Sequence, residues 1–459
     1  MRRQQGGRRR AGRARTSRLT RRGRYMAWTG GVLVVLLLGA GGTGAWLYRQ
    51  LDGNIRAGDI DGKIGQDRPV NLSPGAKNIL VVGSDSRAGA NAEYGKDLDT
   101  MQSDTLMVLH IAANREWAAV VSLPRDSWIR IPACDRGDGS TSEPHHAKIN
   151  EAFAIGGAQG DVGGAAACTI KTIEQNTGLR LDHFLSVDFQ GFKGMVNALD
   201  GIEVCPEQAI RDKKARLDLE AGCQTIKDEQ ALGYVRTRYG VGDGSDIGRI
   251  GRQQEFMQAL AAKAQDKLTS PGALYDVLDS ATKSVSTDPS LAGIKPLTDL
   301  ASTLQGIPKD RLTFLTVPHY PRELDVPTDK ANISWQYPHA QNLFTALAKD
   351  QEVDKSRMTT PAPAPARGVR VQALNGTGTT GAAAEAAEHL RTAGYTVTAT
   401  GNAPEPTATT TVTHPPGLEQ QALAVAARLR TTVVPRVDAN AAFDVVTLTI
   451  GRDYSGLRG

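Results

Sequence analysis

The chain has 459 residues and a formal net charge of +5, from 54 basic and 49 acidic residues. A length of this order favours two or three domains over one. Residues 1–24 hold eleven arginines and no acidic residue, which leaves 43 basic against 49 acidic residues in the remainder. This balance excludes a protein that is basic throughout; the positive charge belongs to a short N-terminal arm.

Residues 25–48 contain no charged residue. A helix of that length spans about 35 Å at 1.5 Å per residue, enough to cross the hydrocarbon core of a bilayer. The arginines before this segment predict a single transmembrane helix with a cytoplasmic N-terminus, so that the following domains lie outside the cell membrane. The alternatives are a signal peptide cleaved near residues 43–45, a twin-arginine signal at Arg21 and Arg22, and, for the arm itself, nucleic-acid binding.

Composition then divides the rest of the chain. We predict a juxtamembrane segment at residues 49–75 and a large mixed domain at residues 76–350. Alternating prolines and alanines mark residues 351–367 as an extended linker. Residues 368–459 form a separate small domain.

Within the large domain, short apolar runs predict three successive strands, followed by alternating helices and strands. Such a mixture is typical of a layered α/β domain. The predicted strands are 78–83, 105–111, 116–123, 183–189 and 202–205, and the predicted helices are 148–155, 163–177, 190–199, 228–237 and 248–268. The small domain is also predicted to be α/β, with strands at 369–374, 395–400 and 444–450 and helices at 379–393 and 418–430.

Charged residues lie at the ends of the first three predicted strands. Asp85 follows the first strand, Asp104 precedes the second, and Arg125 and Asp126 follow the third. If these strands run up, down and up, all four side chains lie at the same edge of the sheet. The pattern therefore predicts a polar site at this edge.

The residue types at this edge suit a metal and a phosphate. Two carboxylates with open positions between them suit a hard divalent cation such as Mg²⁺, which shares its coordination with phosphate oxygens. Arginine binds phosphate through its planar fork. Further arginines follow at Arg236 and Arg238 and at Arg249 and Arg252, the last two on one helix face. Taken singly, each of these residues could equally be a cap or a solvated charge.

The four cysteines contain no C-x-x-C pair, which disfavours a zinc or thioredoxin-type site. Their even number is typical of two disulfides in an oxidising compartment. Three pairings are open, and the sequential one, Cys134–Cys168 with Cys205–Cys223, closes the shortest loops.

Six ordered blocks closely resemble the LytR-CpsA-Psr family of cell-wall glycopolymer ligases. They are NILVVGSDSR (78–87), SDTLMVL (103–109), SLPRDSW (122–128), KINEAF (148–153), VDFQGFKGMVNALDGIEV (187–204) and ALGYVRTRYGVGDGSDIGRIGRQQEF (231–256). Residues 368–459 resemble the LytR C-terminal domain found in actinobacterial members.

The resemblance implies an α/β/α catalytic domain with a mixed central sheet, anchored by one transmembrane helix and facing outward. It implies transfer of a glycopolymer from a polyprenyl diphosphate carrier to peptidoglycan, with formation of a phosphodiester bond. The resemblance leaves the identity of the polymer open, since wall teichoic acid and arabinogalactan are both consistent with the family. The lipid tail is expected to lie in an apolar tunnel, and its candidate lining residues are Phe153, Phe184, Phe189, Phe192, Met195 and Val196. Taken singly, each of these is better explained as an ordinary core residue.

The resemblance also implies roles for single residues. Asp85 and Asp104 are expected to bind Mg²⁺, with Mn²⁺ as the alternative ion, although the long loop between them leaves Asp97 or Asp99 as replacements for Asp85. The expected diphosphate ligands and catalytic cations are Arg87, Arg125, Arg236, Arg238, Arg249 and Arg252. Asp126 and Asp246 are expected to orient these arginines or to accept the proton of the incoming hydroxyl.

Lys148 is a weaker candidate for this site, because a lysine that opens a helix is usually only solvated, and His145 and His146 fit no motif. Two other functions are open: a hydrolase of lipid diphosphates, with water as acceptor, and a non-catalytic envelope protein or transcriptional attenuator. The attenuator agrees poorly with a short cytoplasmic arm that contains no folded nucleic-acid reader. The C-terminal domain is a candidate for binding the wall or another envelope protein.

Overall fold

The computed structural model describes residues 49–84, 101–237, 246–267, 285–353 and 364–458, with isolated positions between 277 and 283. The chain divides into two compact units at residue 53, and in the first unit residues 49–52 are helical. The predicted arm and transmembrane helix lie outside the described residues. Among the helices that are described, none combines the length and the apolar character needed to cross a bilayer.

The large domain alternates strands and helices along the chain. Its strands are β1 (Arg56–Ala57), β2 (Lys77–Ser84), β3 (Ser103–Ile111), β4 (Ala118–Leu123), β5 (Trp128–Ile131), β6 (His145–Lys148), β7 (His183–Val187), β8 (Ile202–Val204), β9 (Ile210–Asp212), β10 (Leu217–Leu219), β11 (Gln224–Ile226), β12 (Val285–Thr287), β13 (Leu312–Thr316), β14 (His319–Pro321) and β15 (Ile333–Trp335). Its helices are α1 (Asp61–Ile64), α2 (Glu151–Gly156), α3 (Val162–Thr177), α4 (Phe189–Ala198), α5 (Asp228–Arg236), α6 (Asp246–Lys267), α7 (Ile294–Gly306) and α8 (His339–Ala348), with 3₁₀ turns at Lys309–Arg311 and Arg322–Leu324.

A seven-stranded mixed sheet forms the centre, in the order β1-β12-β7-β2-β3-β4-β13. Strands β2, β3 and β4 are antiparallel neighbours, whereas β2 pairs with β7, and β4 with β13, in parallel. The predicted up, down and up course of the first three strands is therefore confirmed. Strand β2 is buried along most of its length, as expected of a strand covered on both faces.

Helices cover both faces of this sheet. On one face Leu80, Val108 and Val121 pack in a core with Ile170 of α3 and Phe344 of α8. On the other face a second core joins residues of β2 to β4 with helix α7. This arrangement confirms the predicted layered α/β domain with a mixed central sheet.

A small hairpin unit projects between α4 and α5. Strand β8 pairs with β11 and β9 with β10, both antiparallel. The Cys205–Cys223 disulfide closes this unit, and the Cys134–Cys168 disulfide ties the β5–β6 region to α3. The sequential pairing of the cysteines is thus the one that forms.

The prediction of a helix from residue 148 was wrong at its start. Lys148 pairs with Trp128 in the antiparallel ladder of β5 and β6, and the helix begins only at Glu151. The backbone hydrogen bonds of the ladder hold residues 145–148 extended, which a local helical pattern could not reveal.

The C-terminal domain is a five-stranded sheet with two helices. Its elements are β16 (Arg370–Asn375), α9 (Ala382–Thr392), β17 (Thr396–Asn402), β18 (Thr411–His414), α10 (Glu419–Arg428), β19 (Arg436–Val437) and β20 (Val446–Ile450), and the strand order is β17-β16-β20-β18-β19. Its core is built largely from alanine, valine and leucine on the two helices and the central strands. The predicted strands and helices are present, whereas β18 and β19 were not predicted.

Candidate active site

A cavity of about 390 Å³ lies at one edge of the central sheet, between the ends of β2, β3 and β7 and helices α4, α5 and α6. Most of its wall is apolar. Charged side chains are gathered among the lining residues, from the predicted set Asp104, Arg236 and Arg249 and in addition Asp188, Asp212 and Lys214. Carboxylates and cations from distant parts of the chain thus meet at one apolar cavity.

The predicted contact between neighbouring strand ends forms between Asp104 and Arg125. Asp104 lies near the start of β3 and Arg125 just after β4, and Nη1 of Arg125 donates to Oδ1 of Asp104 at 2.7 Å. The Asp104 side chain is 31% exposed and that of Arg125 is 16% exposed. The pair is therefore partly buried; Asp104 lines the cavity, whereas Arg125 is joined to it through this contact and is not itself a lining residue.

Asp126 is held by two cations. Its Oδ1 accepts from Nζ of Lys148 at 2.5 Å, and its Oδ2 lies 3.7 Å from Nε of Arg125. This contact places Asp126 beside Arg125, and the orienting role of Asp126 stays a prediction. Lys148, which the sequence offered as a weaker candidate for the site, holds Asp126 from the end of β6.

The remaining described arginines come from α5 and α6. Arg236 ends helix α5, lines the cavity, and has its guanidinium carbon 4.6 Å from the centre of the Phe189 ring. Arg249 lines the cavity and is 3% exposed, while Arg252 is 9% exposed and donates to the carbonyl of Thr237 at 2.8 Å. Two guanidinium groups, those of Arg236 and Arg249, thus line one apolar cavity, and the planar fork of arginine suits an anionic ligand such as a phosphate.

Part of the predicted set falls outside these observations. Asp85, Arg87 and Arg238 lie outside the described residues, as do the two alternative ligands Asp97 and Asp99. Asp246 is the first residue of α6, but its side chain is not described.

Within the described ranges, no group of three or more histidine, cysteine or acidic side chains is placed to hold a metal ion. Asp104 alone of the two expected ligands is described, and its hard oxygen donors suit Mg²⁺. His145 bonds to Glu151 at 3.1 Å and is not a lining residue, so it offers no support for a histidine metal site.

Sequence reasoning missed Asp212 at the end of β9 and Lys214 in the turn that follows. Asp212 is 3% exposed and accepts from Oγ1 of Thr237 at 2.8 Å, next to the end of helix α5. No local motif marks this turn; the cysteines that close the hairpin unit are the only sequence signal near it. Asp188 was also missed, although its position before α4, where it caps Gly191 N at 2.8 Å, is a common helix signal.

The predicted tunnel residues divide into two groups. Phe189, Phe192 and Met195 line the cavity. Phe153 and Phe184 instead belong to the main hydrophobic core, and Val196 belongs to the core of the hairpin unit. For these last three, the core position that was open to each candidate taken singly is the one observed, because an apolar pattern does not distinguish a packed core position from the wall of a cavity.

A second, almost wholly apolar cavity of about 260 Å³ continues from the first. The two share Val81, Met107, Met257 and Leu260 as lining residues, and the second extends between the sheet and helices α6 and α7. A charged rim thus leads into two adjoining apolar cavities, which suits an amphipathic ligand with an anionic head and a hydrocarbon tail.

Comparison with known proteins agrees with this geometry. Residues 47–350 match the LytR_cpsA_psr family, and residues 368–454 match the family described as LytR cell envelope-related transcriptional attenuator. The chain is 39% identical over 206 residues to the "Probable cell wall biosynthesis protein LcpB" of Corynebacterium glutamicum, a match that covers 43% of this chain and 44% of that protein.

Two further relatives match over longer stretches. The "Cell wall biosynthesis protein LcpA" of C. glutamicum is 28% identical over 404 residues, covering 81% of this chain and 75% of LcpA. The "Polyisoprenyl-teichoic acid--peptidoglycan teichoic acid transferase TagT" of Bacillus subtilis is 26% identical over 294 residues, covering 61% of this chain and 83% of TagT. Because the family match extends over more than half of its length, this chain belongs to the LytR-CpsA-Psr family.

Proposed function

We propose that this protein is a phosphotransferase that moves a glycopolymer from a polyprenyl diphosphate carrier to peptidoglycan. The observation that carries the proposal is the charged rim above two adjoining apolar cavities. A polyprenyl diphosphate has the matching structure, with a diphosphate for the arginines and a hydrocarbon tail for the cavities. The printed name of the relative TagT describes a transfer of this type.

The chemistry follows from the charges at the rim. A hydroxyl of the acceptor attacks the phosphorus that carries the glycan, the bond from this phosphorus to the bridging oxygen breaks, and polyprenyl phosphate leaves. Arg236 and Arg249 neutralise the charge on the diphosphate, and Arg125 positions its oxygens. The proton of the hydroxyl passes to a carboxylate, for which Asp126 and Asp246 are the two candidates.

We propose Mg²⁺ as the metal, held by Asp104 together with Asp85, with Mn²⁺ as the alternative. When bound, such an ion neutralises charge on the phosphoryl oxygens. Asp104→Asn should weaken Mg²⁺ binding in isothermal titration calorimetry of the purified protein. Unchanged Mg²⁺ affinity in this variant would remove Asp104 from the metal site.

We propose that the protein is anchored in the cell membrane by residues 25–48, with the catalytic domain outside. The two disulfides support this location because such bonds persist in oxidising compartments. An impermeant protease added to intact cells should digest the catalytic domain. Protection of the domain in intact cells, and digestion only after lysis, would contradict the proposed topology.

The decisive test is transfer by the purified full-length protein. With a lipid-linked donor, Mg²⁺ and peptidoglycan fragments, we expect an acceptor-linked product and polyprenyl phosphate in equal amounts. Arg236→Ala should abolish both, whereas Arg211→Ala, which removes an arginine that is 61% exposed and pairs with Asp218, should not. Release of free phosphorylated glycan without a linked product would instead identify a hydrolase.

A further inference from the structure

The C-terminal domain contacts the catalytic domain through buried polar side chains. Asp325 of the catalytic domain and Arg428 of α10 are 8% and 9% exposed, and their Oδ1 and Nε atoms lie 3.7 Å apart. Oη of Tyr320 donates to Oδ2 of the same aspartate at 2.9 Å. Burial, followed by the charge of Asp325, raises the pKa of Tyr320 well above its usual value. Charged groups are rarely buried at a contact of this kind unless they are paired.

A second contact lies beside this pair. The guanidinium carbon of Arg458 lies 3.5 Å from the centre of the Tyr337 ring, and its Nε donates to the carbonyl of Leu429 at 2.8 Å. Ala366, from the end of the predicted linker, packs in the core of the C-terminal domain, and its backbone N–H donates to the carbonyl of Leu324 at 3.1 Å. The C-terminal domain is thus held on the catalytic domain at several points near the turn between β14 and β15.

The same turn is connected to the short loop that carries Arg125 and Asp126, here called the catalytic loop. Oγ of Ser334 in β15 donates to Oδ2 of Asp325 at 3.2 Å. The next residue, Trp335, donates from Nε1 to Oγ of Ser127 at 2.9 Å, and Ser127 Oγ donates to the carbonyl of Pro124 at 2.6 Å. On the other side of Ser334, the N–H of Ile333 donates to the carbonyl of Asp126 at 3.0 Å.

These bonds surround the short loop that carries Arg125 and Asp126. Ser127 is fully buried and Trp335 is 3% exposed, so both side chains are fixed by packing as well as by their hydrogen bond. An arginine that neutralises charge in phosphoryl transfer must be held closely, because a shift of about 1 Å can cost roughly 10²-fold in rate. By holding this loop, β15 therefore keeps Arg125 in the position that the proposed reaction requires.

We propose that the C-terminal domain positions the catalytic loop. It acts through the buried Asp325–Arg428 pair on the β14–β15 hairpin, and this hairpin holds Ser127 and Asp126. Asp325, Arg428 and Trp335 are positioning residues in this view and do not touch substrate. The inference rests on the proposed function for its effect on transfer, but the physical connection can be measured without any activity.

The connection is tested by hydrogen exchange in the full-length protein. Arg428→Gln removes the positive charge of the pair. We expect faster hydrogen exchange at the backbone amides of Ser127 and Ile333 than in the wild type. Arg391→Gln is the matched control, since Arg391 is an exposed arginine of the same domain whose partner is Glu388 of its own helix. If Arg428→Gln does not fold, Arg458→Met, which removes the contact with Tyr337, serves in its place.

Kinetics separate positioning from binding. Coupling carried between distant groups predicts that Arg428→Gln lowers kcat of transfer by about 2- to 30-fold, with little change in KM for the peptidoglycan acceptor. Asp325→Asn should have a similar effect, and the double variant should be no worse than either single one. A domain that only captures the acceptor would raise KM for the acceptor at unchanged kcat, and this result would overturn the proposal.

The two hypotheses fail in different ways. Unchanged exchange of the Ser127 and Ile333 amides in Arg428→Gln overturns the connection, whatever the activity. If the wild-type protein shows no transfer at all, the proposed function fails, and the connection is still decided by exchange alone.

Discussion

The apolar cavities allow a prediction about the length of the lipid tail, from the substitution Ala264→Phe. Ala264 lies on helix α6 and lines the second cavity, whose volume is about 260 Å³. Because an apolar cavity of about 150 Å³ holds one benzene molecule, a phenyl ring placed here should take more than half of this space. The ring enters existing space and should therefore not overpack the core.

The size of the change in donor affinity follows from the amount of hydrocarbon that the phenyl ring displaces. An isoprene unit has five carbons and is close to benzene in size, so the variant should lose room for about one unit. At about 0.8 kcal/mol per buried CH₂, one unit contributes about 4 kcal/mol when it comes from water, or roughly a 10³-fold change in affinity. A tail that comes from a bilayer gains far less, because it is already in hydrocarbon.

The assay therefore uses water-soluble diphosphate donors whose tails increase by one isoprene unit at a time. In the wild type, KM should fall with each unit until the two cavities are filled. In Ala264→Phe the fall should stop about one unit earlier, while the shortest donors, which reach only the first cavity, should react normally.

Gln258→Phe provides the control, because it places the same ring on an exposed position of the same helix. An identical dependence of KM on tail length in Ala264→Phe and the wild type would refute the assignment of the second cavity to the tail. Equal losses for donors of every length would indicate general damage to the helix instead.

Three further predictions concern the rim, the core and the hairpin unit. Arg125→Ala should lower kcat of transfer by about 10²- to 10³-fold at unchanged melting temperature, and transfer at the wild-type rate would contradict its role. Burial opposes the charge of Asp288, but hydrogen bonds led by that from His183 outweigh it and hold the pKa of Asp288 below its usual 3.8. The contribution of ionised Asp288 to the stability of the fold is therefore complete above about pH 4 and is lost as the pH falls through the folded-state pKa. Asp288→Asn should thus lower the free energy of unfolding in urea more at pH 7 than at pH 3, and equal losses at the two pH values would refute this. Replacing Cys205 and Cys223 together by serine opens a loop of 18 residues, which should cost roughly 3 kcal/mol in urea unfolding and also slow transfer, and unchanged stability would contradict the constraint.

The part of the site that could be predicted from the sequence is the part formed by neighbouring strands. Asp104 and Arg125 are 21 residues apart, and their meeting follows from three short strands joined up, down and up. Strand alternation and turn residues are local signals, so they determine such a contact well. Helices α3, α4, α5 and α6 were predicted for the same reason.

The rest depends on contacts between distant segments. Asp212 reaches the cavity on a hairpin whose strands are only three residues long, and its partner Thr237 is 25 residues away. Strands β12 to β15 are also short, and β13 joins the main sheet beside β4, almost two hundred residues earlier in the chain. Such pairings depend on long-range packing, which no local pattern specifies.

The burial of the rim explains how one site can favour transfer over hydrolysis under the proposed function. Arg249, on the side of the apolar cavities, is 3% exposed, whereas Asp104 is 31% exposed. A donor whose tail fills the cavities excludes water from the buried side, and among the described residues the approach to the phosphorus is open on the side of Asp104. An acceptor that stays bound at this open side has a far higher effective concentration than a hydroxyl free in solution, and this advantage grows with the precision with which the Arg125 loop is held. Positioning of that loop and exclusion of water therefore act on the same step, and both are required for a phosphodiester product.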